Sequence, residues 1–418
     1  MKAFKWLIAA VIVIAALFLF FTFGLKQKLA TQNYEKGLIF YDSTNYEQAL
    51  TYLQKAEKWN KKNDTIKYDI AQCYFQLGEL KQSDSICNII LITSPEFAEI
   101  YVIKGQILIK KKAYEQSLEL FTKAIDIDST LPTAYHFRGI AWANLGNFDK
   151  AIADYEKSQA LKTDISTYIE SVAARTSMDD YSGAIADYDK ILELDADHTE
   201  AWYMRGFFKL KIGDLESAIK DFDRAIDLND TIAKAYFERG LAYTQLQKFN
   251  MAYSDFSTSY KLGFKKDGDL YNMAKIDFEK KLYPKAEKQL KQMLAEFKVS
   301  KYRQEAYKIL SSVGMSTGDI NKTIFYLSQG IEEFPEVADF YFYRAVTFER
   351  EKKYSDAIND LLKCIDLGKT DNDVYTALGV QYINMSDFQT GCQHLHTALE
   401  KGSPHAQQLI DRYCKNYQ

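Results

Sequence analysis

The sequence predicts an all-α solenoid of stacked helix-turn-helix units preceded by one N-terminal transmembrane helix. Three observations carry the prediction: a period of 34 residues, columns of fixed residue size within that period, and one uncharged segment of membrane-spanning length near the start. The 418 residues hold 30 Tyr and 26 Phe but only 5 Pro. Rings at fixed positions of a helical array account for that imbalance, because proline breaks helix interiors. A composition that is 47% hydrophobic excludes wholesale disorder. The formal charge of -4, from 53 Lys and Arg against 57 Asp and Glu, gives no sign of a nucleic-acid partner.

Residues 1–5 are a short tail, and residues 6–25, from Trp6 to Leu25, carry no charge between Lys2 and Lys5 on one side and Lys26 and Lys28 on the other. At about 1.5 Å per residue this segment spans roughly 30 Å of helix, the thickness of a bilayer's hydrocarbon core. A cleaved signal peptide is the competing reading. Its apolar core runs about 7 to 15 residues, however, and here Phe18, Phe20, Phe21 and Phe23 extend the stretch further. The segment has no Cys for lipid attachment. Two lysines on each side leave the positive-inside rule nearly balanced, and the amino terminus adds charge to the short tail. The expectation is a single-pass protein whose N-terminus lies in the cytoplasm and whose large domain is extracytoplasmic, or periplasmic.

Residues 30–402 repeat one pattern eleven times. A small residue recurs at Ala49, Ser83, Ser117, Ala151, Ala184, Ala218, Ala252, Ala286, Thr323, Ala357 and Gly391, in steps of 34 except for one of 33 and one of 37. A second small position lies twelve residues earlier, as at Gly105, Gly139, Gly206 and Gly240. Between them runs a column of large residues that includes Tyr46, Tyr114, Phe148, Tyr181, Phe249 and Tyr354. Small residues let two helices of a hairpin approach closely, and the ring beside the turn fills the closed end of the pair. No unit buries its apolar face alone, so neighbours stack into a continuous core.

Stretches such as AYHFRGIAWANLGNFDKAIADYEKSQAL (134–161) and AWYMRGFFKLKIGDLESAIKDFDRAIDL (201–228) resemble the tetratricopeptide repeat, a helix-turn-helix unit of 34 residues. The resemblance covers nearly all of the chain after the apolar segment and implies a right-handed superhelix that binds protein segments. Repeats two, five, eight and nine depart most from the pattern; Val172 and Ser311 replace the usual small residue, and repeat five lacks a turn glycine. Residues 403–418 read as a terminal capping helix opened by Pro404, with Ala406, Leu409, Ile410, Tyr413 and Cys414 on one apolar stripe.

Comparing the repeats with each other reveals a pairing. Where the residue before the first small position is Arg (Arg138, Arg205, Arg239, Arg344), the residue three after the second is Asp (Asp154, Asp221, Asp255, Asp360). Where it is Lys, at Lys36 and Lys104, the matching residues are Tyr52 and Leu120. Arginine suits a bidentate carboxylate contact better than lysine, so these pairs read as structural ties between helices rather than as sites for an anionic ligand. Repeat five is a partial exception, with Asp187 facing Ser171.

No phosphate-binding loop or dinucleotide fingerprint is present, and the repeats leave no segment for a catalytic domain. The expectation is a protein that is not an enzyme, with no cofactor and no small-molecule substrate. Cys392, His396 and Cys414, with His405 nearby, are the one cluster open to a metal or redox reading, but their spacing matches no standard zinc pattern. Five cysteines cannot all pair. In an oxidising compartment Cys73 with Cys87, or Cys392 with Cys414, could bond adjacent helices.

Function is therefore sought on the surface. The family resemblance implies that the first helix of each repeat lines the binding face with its second, fifth, ninth and twelfth residues. In the middle of the array these are Glu200, Tyr203, Phe207, Leu210, Lys234, Phe237, Leu241, Tyr271, Lys275 and Phe278, an aromatic and apolar set suited to an extended peptide or a partner helix. The Lys and Asn pair with which chaperone-binding relatives clamp a terminal carboxylate is absent. Residues 275–308 hold ten Lys or Arg against five acids, and within them Lys280, Lys281, Lys285, Lys288 and Lys291 form a basic patch for an acidic partner or lipid headgroups. The three extra residues of the 37-residue step fall around 297–303. These readings converge on a membrane-anchored, noncatalytic adaptor that binds protein or peptide segments and organises a complex. The alternatives are a soluble periplasmic protein after signal cleavage, or a regulatory subunit with a metal or redox role at the C-terminal end.

Overall fold

The computed structural model describes residues 24–415. Its chain divides between Ile212 and Gly213 into two compact units, where the sequence reads as one continuous array. The first unit holds α1 (24–42), α2 (Tyr46–Trp59), α3 (Asp64–Gln76), α4 (Leu80–Thr93), α5 (Ala98–Lys110), α6 (Tyr114–Ile127), α7 (Pro132–Asn144), α8 (Phe148–Leu161), α9 (Ile165–Ser177), α10 (Tyr181–Leu194) and α11 (Thr199–Lys211). The second holds α12 (Leu215–Leu228), α13 (Ala233–Gln245), α14 (Phe249–Leu262), α15 (Lys266–Glu279), α16 (Tyr283–Glu296), α17 (Arg303–Thr317), α18 (Ile320–Glu333), α19 (Ala338–Arg350), α20 (Tyr354–Asp366), α21 (Asn372–Asn384), α22 (Phe388–Glu400) and α23 (Ala406–Tyr413). No strand occurs among the described residues. Of the predicted transmembrane segment 6–25, only Gly24 and Leu25 are described; the rest lies outside the described residues. Among the described helices none is long and apolar enough to cross a membrane.

From α2 onward, within each unit every helix packs against the next in sequence. The small columns lie where first and second helices approach: a Cβ placed on Gly105 would lie 2.5 Å from the Phe121 ring, and one on Gly139 would lie 2.6 Å from Tyr155. Both rings are fully buried, so glycine here is a requirement of helix spacing.

The turn inside each repeat places one residue in the left-handed region. Gly78, Gly146, Gly213 and Gly318 occupy it in four repeats; Thr44, Lys112, Asp179, Gln247, Lys281, Lys352 and Ser386 occupy it in the others, with φ between 57° and 66°. The missing turn glycine of repeat five is thus replaced by a strained Asp179 and the turn itself is kept. Side-chain caps then start many second helices, as where Asp180 accepts from Gly183 N and Asp319 from Lys322 N.

In the 37-residue step, the connection between α16 and α17 runs over 297–302, and α17 is one of the longer helices at 15 residues. Arg303 ties this connection down. Its guanidinium donates to the carbonyls of Leu294 (2.7 Å) and Phe297 (2.9 Å) and pairs with Glu333 on α18. At the C-terminal end α23 begins at Ala406, two residues after Pro404, and lays Ala406, Ile410 and Cys414 against the end of the unit. There Ile410 joins Ile383 of α21 and Leu395 of α22.

Candidate peptide-binding surfaces

The arginines that precede the small first-helix residue are consumed within the fold. Arg138 grips Asp154 through Nε and Nη2, both at 2.8 Å, and its Nη1 reaches Thr122 of the preceding second helix at 3.3 Å. Arg344 does the same with Asp360 (2.7 and 2.8 Å) and Ser328 (2.9 Å). Arg205 reaches back to Asp189 at 2.6 Å. Each partner lies sixteen residues before or after its arginine, so one guanidinium joins three helices. Lys104 makes only the backward contacts, to Asp84 (2.6 Å) and Asn88 (2.7 Å), and Lys36 instead lies 5.8 Å from the Tyr52 ring.

Repeat five shows what comparison of columns missed. Ser171 donates to Asp187 at 2.6 Å, and Arg175, one turn further along α9, supplies the guanidinium at 3.0 Å while also pairing with Asp180 and Glu156. The signal was an Arg displaced by four residues, one helical turn on the same face.

The first-helix row is only partly a surface. Phe237 is 2% exposed and packs edge-on against Phe256 and Phe264, at 5.6 and 5.7 Å; Tyr203 is 8% exposed. Both are core residues, a correction to their assignment as ligand contacts, because the fifth residue of these helices points into the gap between neighbours. In the first unit Glu200 is exposed and Phe207 and Leu210 are half-buried. In the second unit Lys275 is exposed, and Lys234, Leu241, Tyr271 and Phe278 are half-buried. Tyr271 is further fixed by stacking on Tyr302 at 4.8 Å.

The basic patch narrows in the same way. Lys280 donates to Asn250, and Lys291 pairs with Glu287 at 2.6 Å. Lys281, Lys285 and Lys288 are exposed and make no ion pair among the described residues. Hydrogen bonds from Lys291, Lys322 and Tyr326 overcome burial and hold the Glu287 carboxyl down at about 2.

A disulfide closes the C-terminal cluster. Cys392 and Cys414 form a disulfide, with Cα atoms 5.7 Å apart, which removes both as thiolate ligands. Among the described residues no group of three potential ligands converges. The other predicted bond does not form: Cys73 and Cys87 are free buried thiols, as is Cys364, and burial pushes all three up to about 12. His136 Nδ1 lies 2.8 Å from Thr167 Oγ1 beside Asp164, but that carboxylate caps α9 through Thr167 N instead of orienting the imidazole. The arrangement is therefore not that of an activated nucleophile.

Comparison with known sequences decides the family. Sequence profiles of the tetratricopeptide repeat match residues 40–107 and, as a second profile, residues 98–131, 132–164 and 199–231. This chain carries tetratricopeptide repeats. It is 22% identical over 188 residues to a repeat-containing protein of Methanocaldococcus jannaschii, covering 41% of this chain and 33% of that one. It is 35% identical over 102 residues to RNA polymerase II-associated protein 3 of Xenopus laevis, covering 23% of this chain and 15% of that one. The tetratricopeptide-repeat chain thus spans a third or less of the length of these curated relatives. Among solved structures, YrrB, described as having an unusual peptide-binding site, matches with a TM-score of 0.40 at 18% identity, covering 44% of this chain and 95% of that one.

Proposed function

We propose that this tetratricopeptide-repeat protein is a noncatalytic adaptor, tethered to a membrane by residues 6–25, that binds protein segments and organises a complex. The observation that carries the reading is the division of labour along the repeats. The arginines, carboxylates and rings of the fold are spent on holding helices together, while each unit keeps a row of half-buried apolar and aromatic residues beside exposed charge on its first helices. In the second unit Leu241, Tyr271, Lys275 and Phe278 form such a row, chemistry that suits an extended or helical peptide. Protein-interaction scaffolding is the role common to the repeat family. The uncharged stretch 6–25 supports the tether, and the Cys392–Cys414 bond supports an extracytoplasmic array, since cytosolic thiols are kept reduced.

Affinity capture from detergent-solubilised membranes tests this reading. Partners recovered with the full chain are expected to be lost when Leu241→Glu and Phe278→Glu are introduced together; recovery unchanged by both would remove the first-helix surface as the binding face. Intact mass after expression separates a retained anchor from a cleaved signal.

A further inference from the structure

Repeat eight lacks the clamp of the repeat before it. In repeat seven Arg239 joins Asp223, sixteen residues before it, to Asp255, sixteen after; in repeat ten Arg344 joins Ser328 to Asp360. The same three positions of repeat eight hold Ser257, Met273 and Gln289. The arginine has become a thioether and its carboxylate partner an amide. These three residues line a single cavity of about 380 Å³ between α14 and α16, over α15. A cavity thus lies at the three positions whose side chains meet in the clamped repeats.

Its lining has three parts. Leu270 and Met273, both buried, make an apolar floor. Gln289 makes one wall: its Nε2 donates to Tyr253 Oη at 2.9 Å, and its Oε1 is buried without a partner. Lys285 and Lys288 make the rim; both are exposed and, with Lys281, are the patch lysines that make no salt bridge among the described residues, although Lys285 lies within the field of Asp277. Neither nearby acid closes the rim with a salt bridge. Asp277 is buried with its Oδ2 unpartnered, its carboxyl pushed up by burial against the pull of Lys285 and Gln289, and Glu296 accepts from Gln292 at 2.9 Å.

We propose that this slot docks an acidic, extended segment of a protein partner. A carboxylate of the segment sits between Lys285 and Lys288, an adjoining apolar side chain covers Leu270 and Met273, and a backbone N–H donates to Gln289 Oε1. Charge complementarity at the rim selects the acidic segment. An orphaned buried acceptor is costly, and a peptide backbone supplies its donor along with the carboxylate. The proposal rests on the adaptor reading in taking the occupant to be a protein segment, but it uses second-helix surface that the first-helix row does not include.

The test is fluorescence anisotropy of the full chain in detergent with a fluorescein-labelled peptide of alternating Leu and Glu. Saturable binding is expected, weakened about tenfold by Lys285→Glu with Lys288→Glu. Met273→Arg with Gln289→Asp rebuilds the clamp inside the slot; it is expected to abolish binding while melting no lower than the natural protein. Should that variant melt early, the two surface lysines decide alone. Absence of peptide binding, or affinity unchanged in the lysine pair, overturns the proposal. So does lysine-dependent binding of phosphatidylglycerol vesicles without any binding of the peptide, which would make the patch a lipid contact. Binding lost only with Leu241→Glu and Phe278→Glu overturns the slot and leaves the adaptor reading standing.

Discussion

Arg239 holds Asp255 through two hydrogen bonds of 2.8 Å, and its third nitrogen reaches Asp223 on the preceding second helix at 2.5 Å. Asp255 is 5% exposed, so its charge is compensated by this one guanidinium inside the stack. Removing the arginine alone leaves a buried carboxylate unpaired, which costs about 3 to 5 kcal/mol. Arg239→Met is therefore expected to lower the melting temperature sharply. Arg239→Met with Asp255→Leu should recover most of the loss, because a packed apolar pair replaces a desolvated ionic one at little net cost. A double-mutant cycle by thermal denaturation checks this; equal losses in the single and double variants would show that Asp255 is not the residue Arg239 compensates.

Asp269 supplies a pH dependence. It is fully buried in the first turn of α15, at a register position that holds Ala134, Ala201, Ala235 and Ala306 in other first helices. Ser259 Oγ donates to its Oδ2 at 3.1 Å, and Oδ1 has no partner. Burial pushes its carboxyl up to about 7. An unfolded chain releases that proton near pH 3.9, so between about pH 4 and 7 the folded state binds it more tightly. Its stabilising contribution is complete below about pH 4 and is lost as the pH rises to about 7. Asp269→Ala is expected to melt higher than the natural protein at pH 8, with the difference shrinking toward pH 5. A difference independent of pH would exclude Asp269 as the titrating group.

The turns offer a way to stabilise the array. Lys112, Gln247 and Lys352 are exposed residues held at φ of 57° to 60°, where an L side chain costs about 1 kcal/mol and glycine costs nothing sterically. Part of the gain is offset by glycine's greater freedom in the unfolded chain. Lys112→Gly should stabilise the first unit, and Gln247→Gly with Lys352→Gly the second, by roughly 0.5 kcal/mol per site. Denaturant midpoints read the effect, and lower midpoints would mean that these side chains contribute contacts worth more than the strain.

Much of this architecture was legible because repeats act as copies that can be compared. The small columns mark the helix contacts, and the covariation of Arg138, Arg239 and Arg344 with their aspartates marks the clamps. The ligand face was less legible. Periodicity places Phe237 and Phe278 on equivalent helix faces, yet only packing shows that Phe237 fills a gap between helices while Phe278 stays half-exposed. The slot of repeat eight was readable in part, since Met273 and Gln289 stand in the Arg and Asp columns, but a substitution does not say whether neighbours close over the vacated space. The disulfide had the same ambiguity: spacing allowed Cys73 with Cys87 as well as Cys392 with Cys414, and only the second pair faces across the helices.

That disulfide governs the last helix. Cys392 lies in α22 and Cys414 directly after α23, 22 residues apart in sequence. With only eight residues, α23 is too short to hold its own hydrogen bonds in water and depends on tertiary contacts. Buried Ile410 and half-buried Leu409 and Tyr413 give it a modest apolar footing. Closing a loop of this length is worth about 3 kcal/mol in the chain-entropy account, comparable with the whole of that footing. Cys414→Ser, or reduction of the full chain, is expected to release α23. Hydrogen exchange should then rise over 406–413 and over the parts of α21 and α22 it covers, while α13 to α18 keep their protection. Unchanged exchange at Ile410 after confirmed reduction would mean that apolar packing alone holds the cap, and that the bond adds nothing to the end of the array.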